Sequence, residues 1–235
     1  MKRVVLFFVM CVTAMAVSAQ SDDFGLWTSL EIQKKIDKKW SVGLEAEMRT
    51  RDDVKTVDRW SGGLDVSYKI LKGLKVSAGY TFLWDNNERI SYYEEGDKKV
   101  INGAVNAGDP KKRAQYWGPR HRFSVSLTGE KSFGPWGFSL RERWQYTYRG
   151  KGKNVLRSRL QVEYKKKGQK VVPFASAEFY NAWSLEKTRY SVGAEWRITK
   201  QHSLDLCYRY QDVRNNDFDF EPDSHILSVG YQFKF

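Results

Sequence analysis

The sequence predicts an all-β fold: a closed antiparallel transmembrane β-barrel of roughly ten to twelve strands, with short periplasmic turns and longer extracellular loops. Three observations predict it. Apolar and polar residues alternate with a period of two along nearly the whole chain from Phe24 onward. The alternating segments run to about 10–14 residues, long for soluble strands (commonly ~5–6) but suited to a tilted bilayer crossing at ~9–11. Trp and Tyr gather towards segment ends, at Trp40, Trp60, Trp84, Trp136, Tyr146, Tyr148, Tyr164, Tyr208 and Tyr210, as interfacial girdles require.

Trp40 to Arg51 shows the alternation most cleanly. Trp40, Val42, Leu44, Ala46 and Met48 share one face, while Ser41, Gly43, Glu45, Glu47, Arg49 and Arg51 share the other. A helix would scatter those charges around its circumference; a strand separates them. Trp60, Gly62, Leu64, Val66 and Tyr68 repeat the pattern, followed by Leu74 to Trp84, Phe123 to Leu127 and Trp136 to Tyr148. Further repeats cover Leu156 to Tyr164, Val171 to Asn181, Tyr190 to Ile198, Leu204 to Tyr210 and Leu227 to Phe235.

The connections alternate too. Short ones fall at Asp37-Lys38, Lys72-Gly73, Gly134-Pro135, Gly168-Gln169 and Lys200-Gln201. Longer polar ones fall near Asp52 to Asp58, Gly150 to Lys153, Ala182 to Lys187 and Val213 to Asp223. Asn87 to Pro119 reads as one long extracellular loop with room for a hairpin of its own. A soluble barrel or sandwich also alternates, so segment length, girdles and the aromatic residue Phe235 at the end of the last strand carry the membrane reading.

The first nineteen residues read as a signal peptide. Lys2 and Arg3 precede an apolar core from Val4 to Val17, and Val17-Ser18-Ala19 puts small residues before Gln20. That core is too short to span a bilayer as a helix. Cys11 lies inside it, which disfavours a lipoprotein site. The expected mature barrel is therefore residues 20–235, with Cys207 its sole cysteine and no internal disulfide. Removing Lys2 and Arg3 takes the net charge from +12 to +10. An exported basic barrel points to outer-membrane lipid and lipopolysaccharide, or a small anionic solute, and away from nucleic acid.

With Phe24 to Ile36 included there are eleven strand-like segments, whereas single-chain bacterial barrels use even numbers. Either Phe24 to Ile36 is not an ordinary wall strand, leaving ten, or a further strand makes twelve. If it is a wall strand, it runs downward from the extracellular side.

Tyr231-Gln232-Phe233-Lys234-Phe235 looks like the signal by which the barrel-assembly machinery recognises its substrates, with Tyr231, Phe233 and Phe235 as its aromatic positions. Phe24-Gly25-Leu26-Trp27, Arg49-Thr50-Arg51-Asp52-Asp53 and Pro173 to Phe179 carry a wider likeness. On these stretches the chain after Gln20 resembles a family of small outer-membrane β-barrel proteins of uncharacterised function from Gram-negative bacteria. The resemblance implies a fold and a location, and brings no reaction.

Some outer-membrane barrels hydrolyse lipids with Ser and His, so the three histidines were weighed for that role. His121 and Ser124, like His225 and Ser228, are three apart on one strand and face opposite ways. No local spacing brings a nucleophile to its base. Three scattered histidines and one mature cysteine offer no metal-ligand spacing. The Asp/Asn-rich run from Asp212 to Asp223 lacks the ordered spacing of a calcium loop. Neither cofactor nor metal is expected.

The inward faces are more informative. Arg141, Arg143, Arg157, Arg159, Glu163, Arg189, Glu195 and Arg197 form a predicted lumen charge cluster. Arg49, Arg59, Arg122, Arg209, Glu45, Glu47, Asp65, Glu130, Glu178 and Asp205 share the same inward parity. Such side chains can fill a narrow barrel as an ion-paired plug. The first reading is thus a non-enzymatic structural or binding barrel with an obstructed lumen. The alternative is a narrow anion-preferring channel centred on Arg141, Arg143, Arg157 and Arg159, and a lipid-modifying hydrolase stands third. Glu142 breaks parity between Leu140 and Trp144: either a β-bulge resets the register there, the expected outcome, or the carboxylate meets a partner.

Overall fold

A computed structural model of the chain describes residues 23–92, 106, 110–214 and 223–235. The expected signal peptide and most of the Asp212 to Asp223 run lie outside the described residues. The described chain forms β1 (Asp23–Lys35), β2 (Trp40–Arg51), β3 (Thr56–Leu71), β4 (Leu74–Tyr92), β5 (Pro110–Phe133) and β6 (Trp136–Arg149). β7 (Lys151–Tyr164), β8 (Val171–Ala182), β9 (Ser184–Arg197), β10 (His202–Val213) and β11 (Ser224–Lys234) complete it. Each strand pairs with its sequence neighbours, and β11 closes the ring on β1.

The count is eleven, so neither even-numbered alternative holds: Phe24 to Ile36 is a full wall strand. An odd ring of hairpin-linked strands must contain one parallel pair, because direction alternates at every hairpin. That pair is the seam, where Asp23↔Ser224 through Gln33↔Lys234 run in parallel register without a break. The wall is thus antiparallel everywhere except β1–β11. The seam leaves neither strand with a free edge, the condition for backbone donors and acceptors inside hydrocarbon.

Turns of two to six residues join the strands at one end, at positions 36–39, 72–73, 134–135, 165–170 and 198–201. In the first, the exposed Asp37 carboxylate accepts the backbone N–H of Lys39 at 2.7 Å and of Trp40 at 2.6 Å. Those two bonds hold its carboxyl below the usual carboxylate range. Gly73 (φ 83°) and Gly134 (φ 57°) take the left-handed conformation that their two-residue turns need.

The opposite end differs from expectation in two ways. The stretch from Asn87 to Pro119 is largely β4 and β5 continued beyond the wall, paired from Asn87↔Tyr116 out to Tyr92↔Pro110. The expected loops at Gly150 to Lys153 and Ala182 to Lys187 are tight hairpins, turning on Gly150 and on Trp183 alone. Both turn residues have positive φ, 74° and 71°. Polar residues there read as loop, yet they still pair, as Arg149↔Lys151 and Ala182↔Ser184 show.

Outward residues make an apolar belt in which Leu44, Leu64, Phe123, Leu140, Leu160 and Val192 are all exposed. A hydrophobic surface of this extent around a whole wall is stable only against lipid. The inward face carries the charges, so the barrel's packed interior is its lumen.

The parallel seam can be checked by cross-linking. In a chain whose native cysteines are replaced by Ser, Leu30→Cys and Tyr231→Cys are register partners and should join with a short bifunctional thiol reagent. Leu30→Cys with His225→Cys, about 20 Å apart by strand rise, should not. The opposite pattern would remove β1 from this position in the wall.

Candidate functional site

A carboxylate turned into a narrow lumen must find cations, and Glu178 of β8 finds several. Its Oε1 accepts from Arg141 at 3.1 Å and Arg157 at 2.9 Å. Its Oε2 accepts from Tyr180 Oη at 2.9 Å and Arg189 at 3.5 Å. The two oxygens are fully used. Arg157 also donates to Gln145 at 3.3 Å and Arg189 to Gln211 at 2.6 Å, which ties β6, β7, β8, β9 and β10 into one network.

A second motif crosses the lumen. The guanidinium of Arg49 lies 3.7 Å from the ring centroid of Trp27, and that of Arg189 lies 4.7 Å from it. Arg189 is also 5.1 Å from the Tyr180 ring, which Arg157 approaches at 4.5 Å. The sequence Arg49–Trp27–Arg189–Tyr180–Arg157 is therefore a ladder alternating cation and π-face, from β2 to β7. Those strands are nearly opposite: four strands separate them one way round the ring and five the other. Cation–π contacts of this kind are worth up to about 2 kcal/mol each where water is excluded. Trp27 is only 7% exposed.

On the long-loop side of the ladder, Asp85 receives Arg59 and Arg120, the latter at 3.0 Å. On the other side lies a cavity of about 800 Å³. Its lining runs from the ladder (Trp27, Arg49, Arg157 and Arg189) down to Gln33, Lys131, Lys165 and Lys234 at the short-turn end. The cavity is thus a cup-shaped space with the ladder residues at its inner end.

All eight residues of the predicted cluster are inward, but they do not act as one group. Arg141, Arg157 and Arg189 converge on Glu178. Glu195 and Arg197 pair with each other at 2.9 Å on β9. Glu163 stands beside Gly137 on the cup wall. Arg143 and Arg159 also line the cup, and among the described residues neither makes an ion pair or hydrogen bond. Tyr231, Phe233 and Phe235 point outward near the short-turn end, where Tyr231 and Phe233 flank His202.

The sequence reading missed Trp27 and Tyr180. Both sit at inward parity among polar residues, so a lone aromatic in the polar register was the available signal. It also named Phe24-Gly25-Leu26-Trp27 and Arg49 to Asp53 as separate stretches, which the fold joins into one unit. Trp27 is the cross-strand partner of Arg49. Thr50 Oγ1 accepts from the Leu26 N–H at 2.8 Å and the Val54 N–H donates to the Phe24 carbonyl at 3.1 Å. A side chain on Gly25 would put its Cβ 2.7 Å from the Thr50 carbonyl oxygen, so that position needs Gly. The third stretch, Pro173 to Phe179, supplies Glu178.

The expected bulge at Glu142 is absent: the registers of β5–β6 and β6–β7 run unbroken through it. Glu142 faces outward and accepts a 2.6 Å hydrogen bond from Ser158 on β7. A local partner, rather than a register reset, accommodates the broken parity.

The three histidines are also on the outer face. His121 Nδ1 is 2.8 Å from Tyr80 Oη, His202 Nδ1 is 2.5 Å from Tyr231 Oη, and His225 Nδ1 is 2.5 Å from Tyr208 Oη. Each pair links neighbouring strands.

These features define a barrel of the outer-membrane type. The β domain of the Bordetella autotransporter BrkA superimposes with a TM-score of 0.52 at 14% identity, over 83% of each chain. The NanC porin gives 0.52 at 14% identity, over 91% of this chain and 98% of its own. LpxR from Salmonella typhimurium gives 0.50 at 10% identity, over 87% of each. At these identities the likeness is one of fold, shared by a porin, a translocator domain and a third barrel alike. No curated protein sequence matches the chain. The family described as "Protein of unknown function (DUF2490)" matches residues 24–221, and the chain belongs to it.

Removing the hub of the network should be costly. Glu178→Ala leaves Arg141, Arg157 and Arg189 without their shared carboxylate and should lower unfolding stability in lipid vesicles by about 3–5 kcal/mol. A loss below about 1 kcal/mol would mean that the network is not formed.

Proposed function

We propose that this protein is an outer-membrane barrel of structural and solute-binding type, without catalytic role, whose lumen is closed at mid-height. The ladder from Arg49 through Trp27, Arg189 and Tyr180 to Arg157 carries this reading, because it fills the section of the lumen that a permeating solute must cross. The network on Glu178 supports it by fixing two rungs, Arg157 and Arg189, at their guanidiniums.

The short-turn end faces the periplasm in this reading, and the cup opens to that side. The apolar belt meets outer-membrane lipid, the long-loop end meets lipopolysaccharide, and Tyr231, Phe233 and Phe235 serve the barrel-assembly machinery. The anion-preferring channel shares the excess of lumen arginine but requires a continuous path, which the ladder interrupts. A lipid hydrolase requires a histidine free to act as base. The hydrogen bond at each histidine Nδ1 here goes to a tyrosine hydroxyl, and no serine is placed beside a histidine by these contacts.

Planar bilayers test the proposal. The wild-type barrel should give no discrete conductance at high protein load. The triple variant Trp27→Ala, Tyr180→Ala, Arg189→Ala should open a salt-dependent one. Steady unitary conductance from wild type that falls when Arg141, Arg143, Arg157 and Arg159 become Gln would favour the channel instead.

A further inference from the structure

Four arginines stand as two directly opposed cross-strand pairs on β6 and β7: Arg141 opposite Arg159, and Arg143 opposite Arg157. Like charges in opposed positions destabilise a sheet unless something compensates them. Arg189 from β9 approaches the same group through Glu178. Three of these guanidiniums and Tyr180 fill the two oxygens of Glu178, while Arg143 and Arg159 stand beside Arg157 and Arg141 as their cross-strand partners.

The remaining two, Arg143 and Arg159, bear the surplus. Among the described residues they have no hydrogen bond and no ion pair, and the Nε of each is buried. A guanidinium presents donors in a fixed planar fork and keeps its charge, so its unmet demand is for an oxyanion. Both line the cup. Next to them on β5, Thr128 is the cross-strand partner of Arg141 and Ser126 that of Arg143. The hydroxyls of Ser126 and Thr128 line the same cup and add neutral donors.

We propose that Arg143 and Arg159, with Ser126 and Thr128, form a site for a doubly charged tetrahedral oxyanion, a phosphate group, entering from the short-turn end. Two forks and two hydroxyls match a group with several acceptor oxygens better than they match chloride, which offers one atom. The cup, at about 800 Å³, has room for a small hydroxylated solute bearing that phosphate. Above the floor its wall carries Glu31, Glu45, Asp65, Glu163 and Asp205, which accept from hydroxyls. The phosphate source is thus either a sugar phosphate or free phosphate. This inference rests on the cup being blind only for its side of entry; the site itself stands whether or not the lumen conducts.

Isothermal titration of the refolded full barrel, in zwitterionic detergent and phosphate-free buffer, tests it with four probes: inorganic phosphate, glucose 6-phosphate, glucose and chloride. Both phosphates should bind and raise the thermal midpoint, and glucose should not. Tighter binding of glucose 6-phosphate assigns the site to a phosphorylated solute, and equal binding assigns it to the free anion. The double variant R143Q/R159Q should weaken phosphate binding about tenfold or more, while R143K/R159K, which keeps the charge, should recover part of it. Heat-modifiable electrophoretic migration verifies that each variant has folded. No phosphate binding by wild type, binding matched by chloride, or binding unchanged in folded R143Q/R159Q would overturn the site. A conducting wild type that loses phosphate binding in R143Q/R159Q would overturn the closed lumen and leave this site intact.

Discussion

The constraint on which the rest of this structure depends is that charged side chains cannot face hydrocarbon. An Arg or Lys at the lipid-facing midplane costs about 2–4 kcal/mol, so the strands turn nearly all their charges into one narrow lumen, Glu142 being an outward carboxylate that Ser158 holds. There they are too many to be solvated separately. Glu178 gathers three arginines and Asp85 gathers two. Arginines are also laid against aromatic faces, as Arg49, paired with Glu47, is on Trp27. The crowding of guanidiniums and aromatic rings at mid-height is thus a consequence of how this barrel stores its charge. Removing one partner from such a network exposes the others, whereas an apolar filling of the same volume would not carry that risk.

The same constraint explains the seam. Once β1 lies in the wall, its backbone must be paired on both sides. With eleven strands that is possible only if β1 and β11 run parallel. The seam in turn delivers Trp27 to the inside: on β1 the inward register carries Trp27, Ser29, Glu31 and Gln33. A ten-stranded wall without β1 would lose Trp27, the ring that joins Arg49 to Arg189. Fold and ladder are therefore coupled through one strand, and the two stretches Phe24 to Trp27 and Arg49 to Asp53 are that coupling.

Much of the wall was legible in the sequence because a period of two assigns every residue to a face. Parity on β6, β7 and β9 placed on one face the arginines that meet Glu178. Parity tells which face a residue is on and nothing about what it reaches across a lumen. That is why Glu178 was seen as one acid among several, why Trp27 entered only as part of a family-like stretch, and why Tyr180 was not singled out. The hairpins at Gly150 and Trp183 were read as loops because polar composition looks the same whether or not the backbone pairs beyond the membrane. Glu142 was misread for a related reason: a hydrogen bond from Ser158 on the next strand leaves no mark in the local pattern. The strand count was undecided because evenness is a habit of bacterial barrels, not a geometric requirement once a parallel pair is allowed.

The central claim is that Arg189 sits between the rings of Trp27 and Tyr180 in the folded barrel. Solution NMR of the barrel in lipid nanodiscs reads this directly through the Nε–Hε resonance of Arg189, assigned by its loss in Arg189→Lys. The account predicts a resonance displaced upfield by both ring currents, protected from water exchange, and returning towards the free-arginine position in Trp27→Ala and in Tyr180→Ala. A wild-type Arg189 resonance at the free-arginine position, in rapid exchange with water, would contradict it.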